Sequence, residues 1–379
     1  LSPAYDDHVT TPIWDDLLTE DDRSELEPGV SEPLDDTPDV LIVGGGVIGL
    51  ATAVFLRRAG IDRVLVIERE RRLASAPSGR AAGTLTPGIH SLLQGDAFVR
   101  LAQRGLELHR ELDEEWGGAA GFRTIDSLVA PPIELPADLP TPPGMRVVDG
   151  IAAREIEPEF GEVAQAIHIE RQGAVPPLRF AAELARRAGA VATGVAMLDL
   201  EATPSGAARV RTSHGVIEPG SVVLTTGLSD RFPLRQRPVK GHMLATEPAP
   251  FTLRTLPAGL IGFVQTAEGR VIGGGTVDLG DDDPVVRPDV IDSMLADLGR
   301  LVPAAKQLRV THTWTCFRPA VLDEIPVIDQ VPGFTNVWAS VAHFRTGIMV
   351  SPAAADLITR WITTGERPIE TADFAGSRA

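Results

Sequence analysis

Val40-Leu41-Ile42-Val43 runs straight into Gly44-Gly45-Gly46-Val47-Ile48-Gly49. Four consecutive apolar residues, three of them β-branched, read as a strand buried on both faces. The three glycines at G-x-G-x-x-G spacing then open a helix, and each has a separate physical reason. Gly44 permits the tight turn, Gly46 lets a pyrophosphate approach the backbone, and Gly49 lets the helix pack closely on the strand. The helix amino terminus presents free N–H groups and a partial positive charge to the phosphates. The unit therefore predicts a dinucleotide cofactor before any catalytic residue is considered.

The flanking sequence completes the unit. Ala51, Ala53, Val54, Phe55 and Leu56 continue an apolar helix that stops at Ala59-Gly60, a C-terminal glycine signal. A second strand, Arg63-Val64-Leu65-Val66-Ile67, ends on Glu68, 22 residues after Gly46. An acid there accepts hydrogen bonds from the adenosine ribose hydroxyls and disfavours a 2′-phosphate.

Other classes are excluded by composition. No apolar run reaches the ~18–20 residues of a membrane helix; the longest, Val40 to Leu56, is broken by glycines and belongs to the nucleotide unit. No basic-then-apolar leader pattern is seen, and the expected location is cytoplasmic. The single cysteine, Cys316, excludes internal disulfides and a cysteine metal cluster, and the eight histidines show no H-x-x-x-H spacing, so no metal site is expected. The net charge is −17, and the first 39 residues hold thirteen acids against one base, Arg23. The chain lacks the basic surface that nucleic acid requires.

The acidic segment 1–38 is expected to be a flexible, solvated extension. Ile13-Trp14 and Leu17-Leu18 stand at helical spacing within it, and a short amphipathic helix docking on the body or on a protein partner is the alternative reading. Further along, helices are expected at Phe98–Trp116, Ala152–Glu157, Pro177–Arg187 and Asp289–Leu301, with a last helix starting at Ser351-Pro352. Val222–Thr226, the region Pro238–Thr276, Gln307–Cys316 and Val337–Val341 read as strands. Nucleotide-type α/β segments are thus interrupted twice by strand-rich insertions.

Several further segments share one pattern: Ser78-Gly79-Arg80-Ala81-Ala82-Gly83, Thr225-Thr226-Gly227-Leu228-Ser229, Pro238-Val239-Lys240-Gly241-His242, Gly269–Gly274, Phe317-Arg318-Pro319 through Asp323 and Pro326, and His343-Phe344-Arg345-Thr346-Gly347-Ile348. In this order the chain resembles the FAD-dependent amino acid and amine oxidases related to D-amino acid oxidase, nearest the glycine oxidase and sarcosine oxidase branch, over roughly residues 39–367. The resemblance implies an α/β fold in which a Rossmann-like FAD-binding domain is interleaved with an α+β, mixed-sheet substrate domain. The expected boundaries are 39–95, 165–236 and 306–379 for the discontinuous FAD domain, and 96–164 and 237–305 for the substrate domain. The implied chemistry is oxidation of the C–N bond of a small amine or amino acid, with hydride passing to flavin N5 and electrons then to oxygen or another acceptor.

The same resemblance assigns the site. FAD contacts fall on Gly44, Gly46, Val47, Ile48, Gly49, Glu68 and Arg69, on Arg80, Ala81, Ala82 and Gly83, on Val195, Thr226 and Gly227, and on Arg318, Arg345, Thr346, Gly347 and Ile348. Arg318 matches the carboxylate-binding arginine, a role suited to a planar, permanently charged, bidentate guanidinium. Arg345 matches a second active-site arginine. His343 is expected to act in catalysis or touch the flavin, and His242, where a glutamine is usual, is expected to be a lid or pH-sensitive residue. Cys316 stands where sarcosine oxidases attach flavin covalently, while Arg318-Pro319 follows the non-covalent pattern of glycine oxidases. The branch's substrate-facing tyrosine has no counterpart in Ile261-Gly262-Phe263-Val264, because the only tyrosine is Tyr5. Val271 replaces an oxygen-activating lysine, and Ala342 a frequent glycine.

Overall fold

A computed structural model describes residues 11–30, 33–133, 141–228, 234 and 236–378. The strand Val40–Val43 is buried on both faces, as its unbroken apolar run requires. It lies inside a six-stranded sheet of spatial order 327–330, 337–341, 221–224, 40–43, 64–68 and 190–193. All its pairs are parallel except the edge pair of 327–330 with 337–341. Side chains alternate between two cores. Val40, Ile42, Val64 and Val66 face a helical layer, while Leu41, Val43, Leu65 and Ile67 face an antiparallel meander of strands 197–202, 208–212 and 215–217.

The helical layer contains Val47–Arg58, Pro177–Ala188 and Gly347–Thr364. The last of these begins four residues before the expected start, and Pro352 lies inside it. Proline removes the N–H that would bond the Ile348 carbonyl one turn earlier. That carbonyl instead accepts from His109 Nε2 at 2.8 Å and from Ser351 Oγ at 2.9 Å. Helix Asp96–Glu115 supplies His109 and crosses the last helix at Gly105, where a Cβ would collide with the Met349 carbonyl.

A second, ten-stranded mixed sheet runs 278–279, 237–248, 270–274, 262–265, 255–258, 123–129, 165–174 and 84–85, with 310–320 paired to 237–248 and 145–149 to 165–174. Helix Pro288–Leu301 covers its outer face through Ile291, Met294, Leu298 and Leu301. Strands 165–174 and 310–320 belong to this sheet, although the interruption pattern placed both segments in the nucleotide domain. Helix 96–115, placed with the insertions, packs on the nucleotide-side helices. Alternation of apolar residues reports that a strand exists but not which sheet it joins.

The acidic segment departs from the flexible reading and follows the docking alternative in part, since its described residues lie against the body. Ile13 and Trp14 form a buried 3₁₀ turn, and helix Glu20–Leu26 starts with a capping box between Thr19 and Asp22. Asp15 pairs with Arg72, Asp16 with His312 at 3.1 Å, Glu25 with Arg186 at 3.4 Å and Asp35 with Arg63 at 2.8 Å. Among the described residues no helix is long and apolar enough to cross a membrane, and no cluster of His, Cys, Asp or Glu is placed to hold a metal ion.

Candidate active site

The carboxyl ends of strands 40–43, 64–68 and 221–224 open onto a cavity of about 1010 Å³, roofed by the large sheet. Open α/β sheets place ligands at this edge, and the volume matches the upper end of the ~300–1,000 Å³ range for ligand sites.

At one end the glycine turn forms the wall. Gly44 has φ +118°, a conformation that a side chain rarely adopts, and a Cβ there would stand 2.8 Å from the Thr225 carbonyl oxygen. Gly49 is not on the wall; a Cβ on it would collide with the Gly44 carbonyl, so it serves helix–strand packing. Gly46 is on the wall and its missing Cβ would approach only Ser78 Oγ, at 3.2 Å. The space it leaves open faces the ligand. Glu68 is oriented by two backbone donors, Gly45 N–H at 2.7 Å and Glu70 N–H at 2.9 Å. Val47, Ile48, Arg69, Arg80, Ala81, Ala82, Gly83, Val195, Thr226 and Gly227 line the same cavity.

The other end is cationic. Arg318 lies on strand 310–320, opposite Val239, and its Nη1 donates to the Thr276 carbonyl at 2.7 Å. A Cβ on Gly241 would overlap the Arg318 guanidinium, so Gly241 makes the room that side chain occupies. Arg345 stands in the loop 342–346, pinned by Phe344 N–H to the Pro319 carbonyl at 2.9 Å. Ala342 and Phe344 both take positive φ, at 58° and 47°. Such strain persists only where the surroundings impose it. Burial lowers the pKa of both guanidiniums, and for Arg345 the neighbouring Arg318 charge lowers it further. Neither has a carboxylate partner within 4.0 Å among the described residues. The buried Arg318 and the exposed Arg345 thus bring two cations to one cavity.

His343 and His90 also face the cavity. Burial brings each imidazole down to about 4, for His90 with help from the Arg345 charge, so both are neutral at pH 7. His343 Nε2 contacts Ser340 Oγ at 3.1 Å, and the Nδ1 atoms of both rings are buried without a partner. His90 carried no sequence signal. Gly347, Ile348 and Met349 bring the amino terminus of the last helix to the wall, favouring negative charge there. Thr346 is buried beneath that wall, with Oγ1 donating to the His343 carbonyl at 2.9 Å, and it shapes the loop without lining the cavity.

His242 requires correction. It is fully buried and absent from the cavity wall; Nδ1 contacts Asp278 at 3.0 Å and Nε2 accepts the Arg287 N–H at 3.1 Å. With both nitrogens engaged it is a structural residue rather than a lid or catalytic group. Val271 packs in the core beside helix 288–301, and neither lysine reaches the cavity. Lys240 is buried and paired with Asp281 at 3.0 Å. Met243, Ile261 and Phe263 add apolar surface to the cavity lining; Tyr5 and Ser229 lie outside the described residues. A second cavity of about 340 Å³ adjoins through Leu260, Ile261, Gly275 and Arg345.

A nucleotide cradle at the edge of a parallel sheet, roofed by a mixed sheet that carries Arg318 and flanked by the loop that carries Arg345, is the arrangement of a dinucleotide-dependent enzyme. The chain belongs to the FAD dependent oxidoreductase family, whose model matches residues 39–361. It is 29% identical over 341 residues to the bifunctional protein ThiO/ThiG of Synechocystis sp., covering 85% of this chain and 51% of that one. It thus spans about half the length of that relative. Similarity to glycine oxidase of Pseudomonas putida is 25% over 364 residues, covering 89% and 97%. The crystal structure of glycine oxidase from Geobacillus kaustophilus superposes with a TM-score of 0.81 at 26% identity, covering 91% and 99%.

The residues present fit FAD. The glycine cradle and the oriented Glu68 carboxylate line one continuous space together with Thr226 and His343. Cys316 also lines it, but burial raises its thiol pKa against the opposing pull of Arg318 and Arg80, and Sγ lies 3.9 Å from the Pro77 carbonyl oxygen. Thioether formation needs a thiolate, which this environment disfavours.

Proposed function

We propose that the enzyme oxidises the C–N bond of a small amino acid or secondary amine, such as glycine, sarcosine, a D-amino acid or a pathway-specific amine. The observation that carries this reading is the pair of unpaired guanidiniums, Arg318 and Arg345, on the wall that the glycine turn also lines. Arg318 holds the substrate carboxylate through its fork of donors, and Arg345 adds charge beside it. Two nearby cations also lower the pKa of the substrate's ammonium, presenting the neutral amine that loses hydride more readily. A histidine at about 4 is too weak a base to take the ammonium proton at pH 7, so His343 acts by orientation. Its Nε2 contact with Ser340 Oγ at 3.1 Å fixes the ring at the start of the loop that carries Arg345. FAD, when bound, supplies the hydride acceptor, and the imine product is hydrolysed by water. The FAD link is non-covalent. The apolar lining of Met243, Ile261 and Phe263 offers the substrate no phenol partner.

A panel of amino acids and secondary amines, read by bleaching of the flavin without oxygen, tests this. Bleaching by none, or bleaching as fast by the same amines lacking a carboxylate, would defeat the reading. Oxygen is one acceptor, giving hydrogen peroxide. A quinone or protein acceptor is the second reading, favoured by the absence of a lysine from the cavity wall. Reoxidation in air slower than turnover with an artificial acceptor would select it.

A further inference from the structure

We propose that the acidic N-terminal segment is a clasp that sets the geometry of the FAD-binding loop, with Trp14 as its positioning residue. Residues 11–30 lie outside the part of the chain that matches the family, yet they bond to segments that line the FAD cavity. Trp14 Nε1 donates to the Ala81 carbonyl at 2.7 Å. The Leu26 carbonyl accepts from Leu73 N–H at 2.8 Å, next to Ala74, which lines the cavity at a φ of +51°. Gly29 and Thr193 exchange two bonds, at 3.0 and 3.1 Å, two residues before Val195.

The Ala81 contact explains how a segment outside the cavity acts inside it. Trp314 Nε1 holds the adjacent carbonyl, that of Arg80, at 3.0 Å, so two indoles grip consecutive peptide units. A trans peptide points its C=O and N–H in opposite directions. Fixing the Ala81 carbonyl therefore fixes the Ala82 N–H on the opposite side. Ala82 lines the cavity, and its N–H has no acceptor among the described residues. That N–H is a preset donor for FAD. The clasp is itself held by Ile13, which is fully buried in the main core, by the ion pair of Asp15 with Arg72 and by the contact of Asp16 with His312.

Trp14→Phe in the full chain removes the indole N–H and keeps an aromatic ring in the core. The apoprotein is prepared and its FAD affinity measured by quenching of flavin fluorescence, alongside its melting temperature without FAD. Loss of one hydrogen bond to the loop predicts FAD binding weaker by about fivefold, alongside a lower apoprotein melting temperature from the smaller buried ring. Ile13→Val, which trims the same turn without touching Ala81, is expected to lower the apoprotein's melting temperature and leave FAD affinity within about twofold. Unchanged FAD affinity in Trp14→Phe would overturn the proposal, as would equal losses of affinity in the two variants.

Discussion

Arg318→Ala separates a substrate ligand from a structural arginine. The side chain is 8% exposed, and its one hydrogen bond among the described residues is Nη1 to the Thr276 carbonyl. Asp278, an acid that influences it, is already occupied by His242 and Arg287. The Arg318 charge is thus partly desolvated and uncompensated, and a substrate carboxylate completes it. Truncating one partner of such a desolvated pair costs about 2–5 kcal/mol. At ~1.4 kcal/mol per decade this is roughly a 30- to 4,000-fold fall in kcat/KM for a carboxylate substrate. The corresponding amide, lacking the charge, should lose far less. Arg318→Lys keeps a charge but not the planar fork, and should fall between parent and Ala. The assay is steady-state kinetics with an amino acid and its amide, together with the spectral shift of bound flavin on titration with a simple carboxylate. Equal losses for acid and amide, or an unchanged carboxylate affinity, would refute the role. Thermal melting of each apoprotein controls for the lost Thr276 contact.

Gly46→Ala should fold, because its Cβ would meet only Ser78 Oγ, yet retain little FAD after dialysis; Gly49→Ala should disturb the fold itself by driving a methyl into the Gly44 carbonyl. Circular dichroism and flavin absorbance distinguish the two, and full FAD retention in Gly46→Ala would contradict the pyrophosphate reading. Gly241→Ala should mimic Arg318→Ala in its selective loss of carboxylate substrates, since a Cβ would occupy the guanidinium's space; normal carboxylate kinetics would remove Gly241 from the site. Acid should destabilise the protein through His343, His109 and His90, each held at about 4 by burial against an ordinary 6.5. Between these values the unfolded chain binds protons that the folded chain refuses, so this stability is whole above pH 6.5 and is lost as pH falls towards 4. Each imidazole contributes at most ~3 kcal/mol at 1.36 kcal/mol per unit; urea midpoints that stay level from pH 7 to 4.5 would contradict it.

Local signals were legible and non-local ones were not. The Gly44–Gly49 turn could be read because strand, turn and helix are contiguous, and each glycine is required by a neighbour within one motif or its adjoining strand. Arg318 and Arg345 could be placed only by resemblance, since no spacing rule brings positions 27 apart to one wall. Gly241 and His90 were missed for the same reason: each stands beside an arginine that a different element delivers. The start of the last helix was misread because a proline at its sixth position is ordinarily a breaker. Its cost is met by His109, from a helix about 240 residues earlier.

The acidic segment shows the limit most clearly. Thirteen acids against one base in 39 residues satisfy a compositional criterion for disorder, because such a stretch repels itself. That criterion assumes the charges face water alone. Here Asp15, Asp16, Glu25 and Asp35 meet Arg72, His312, Arg186 and Arg63, partners spread from position 63 to position 312. Pairs at or near the surface are individually worth little, so they relieve repulsion more than they drive docking. The driving force lies in Ile13, Trp14 and Leu26, three buried apolar side chains that composition dilutes among the acids. A segment's net charge therefore says less about whether it docks than the few apolar residues that the charge surrounds.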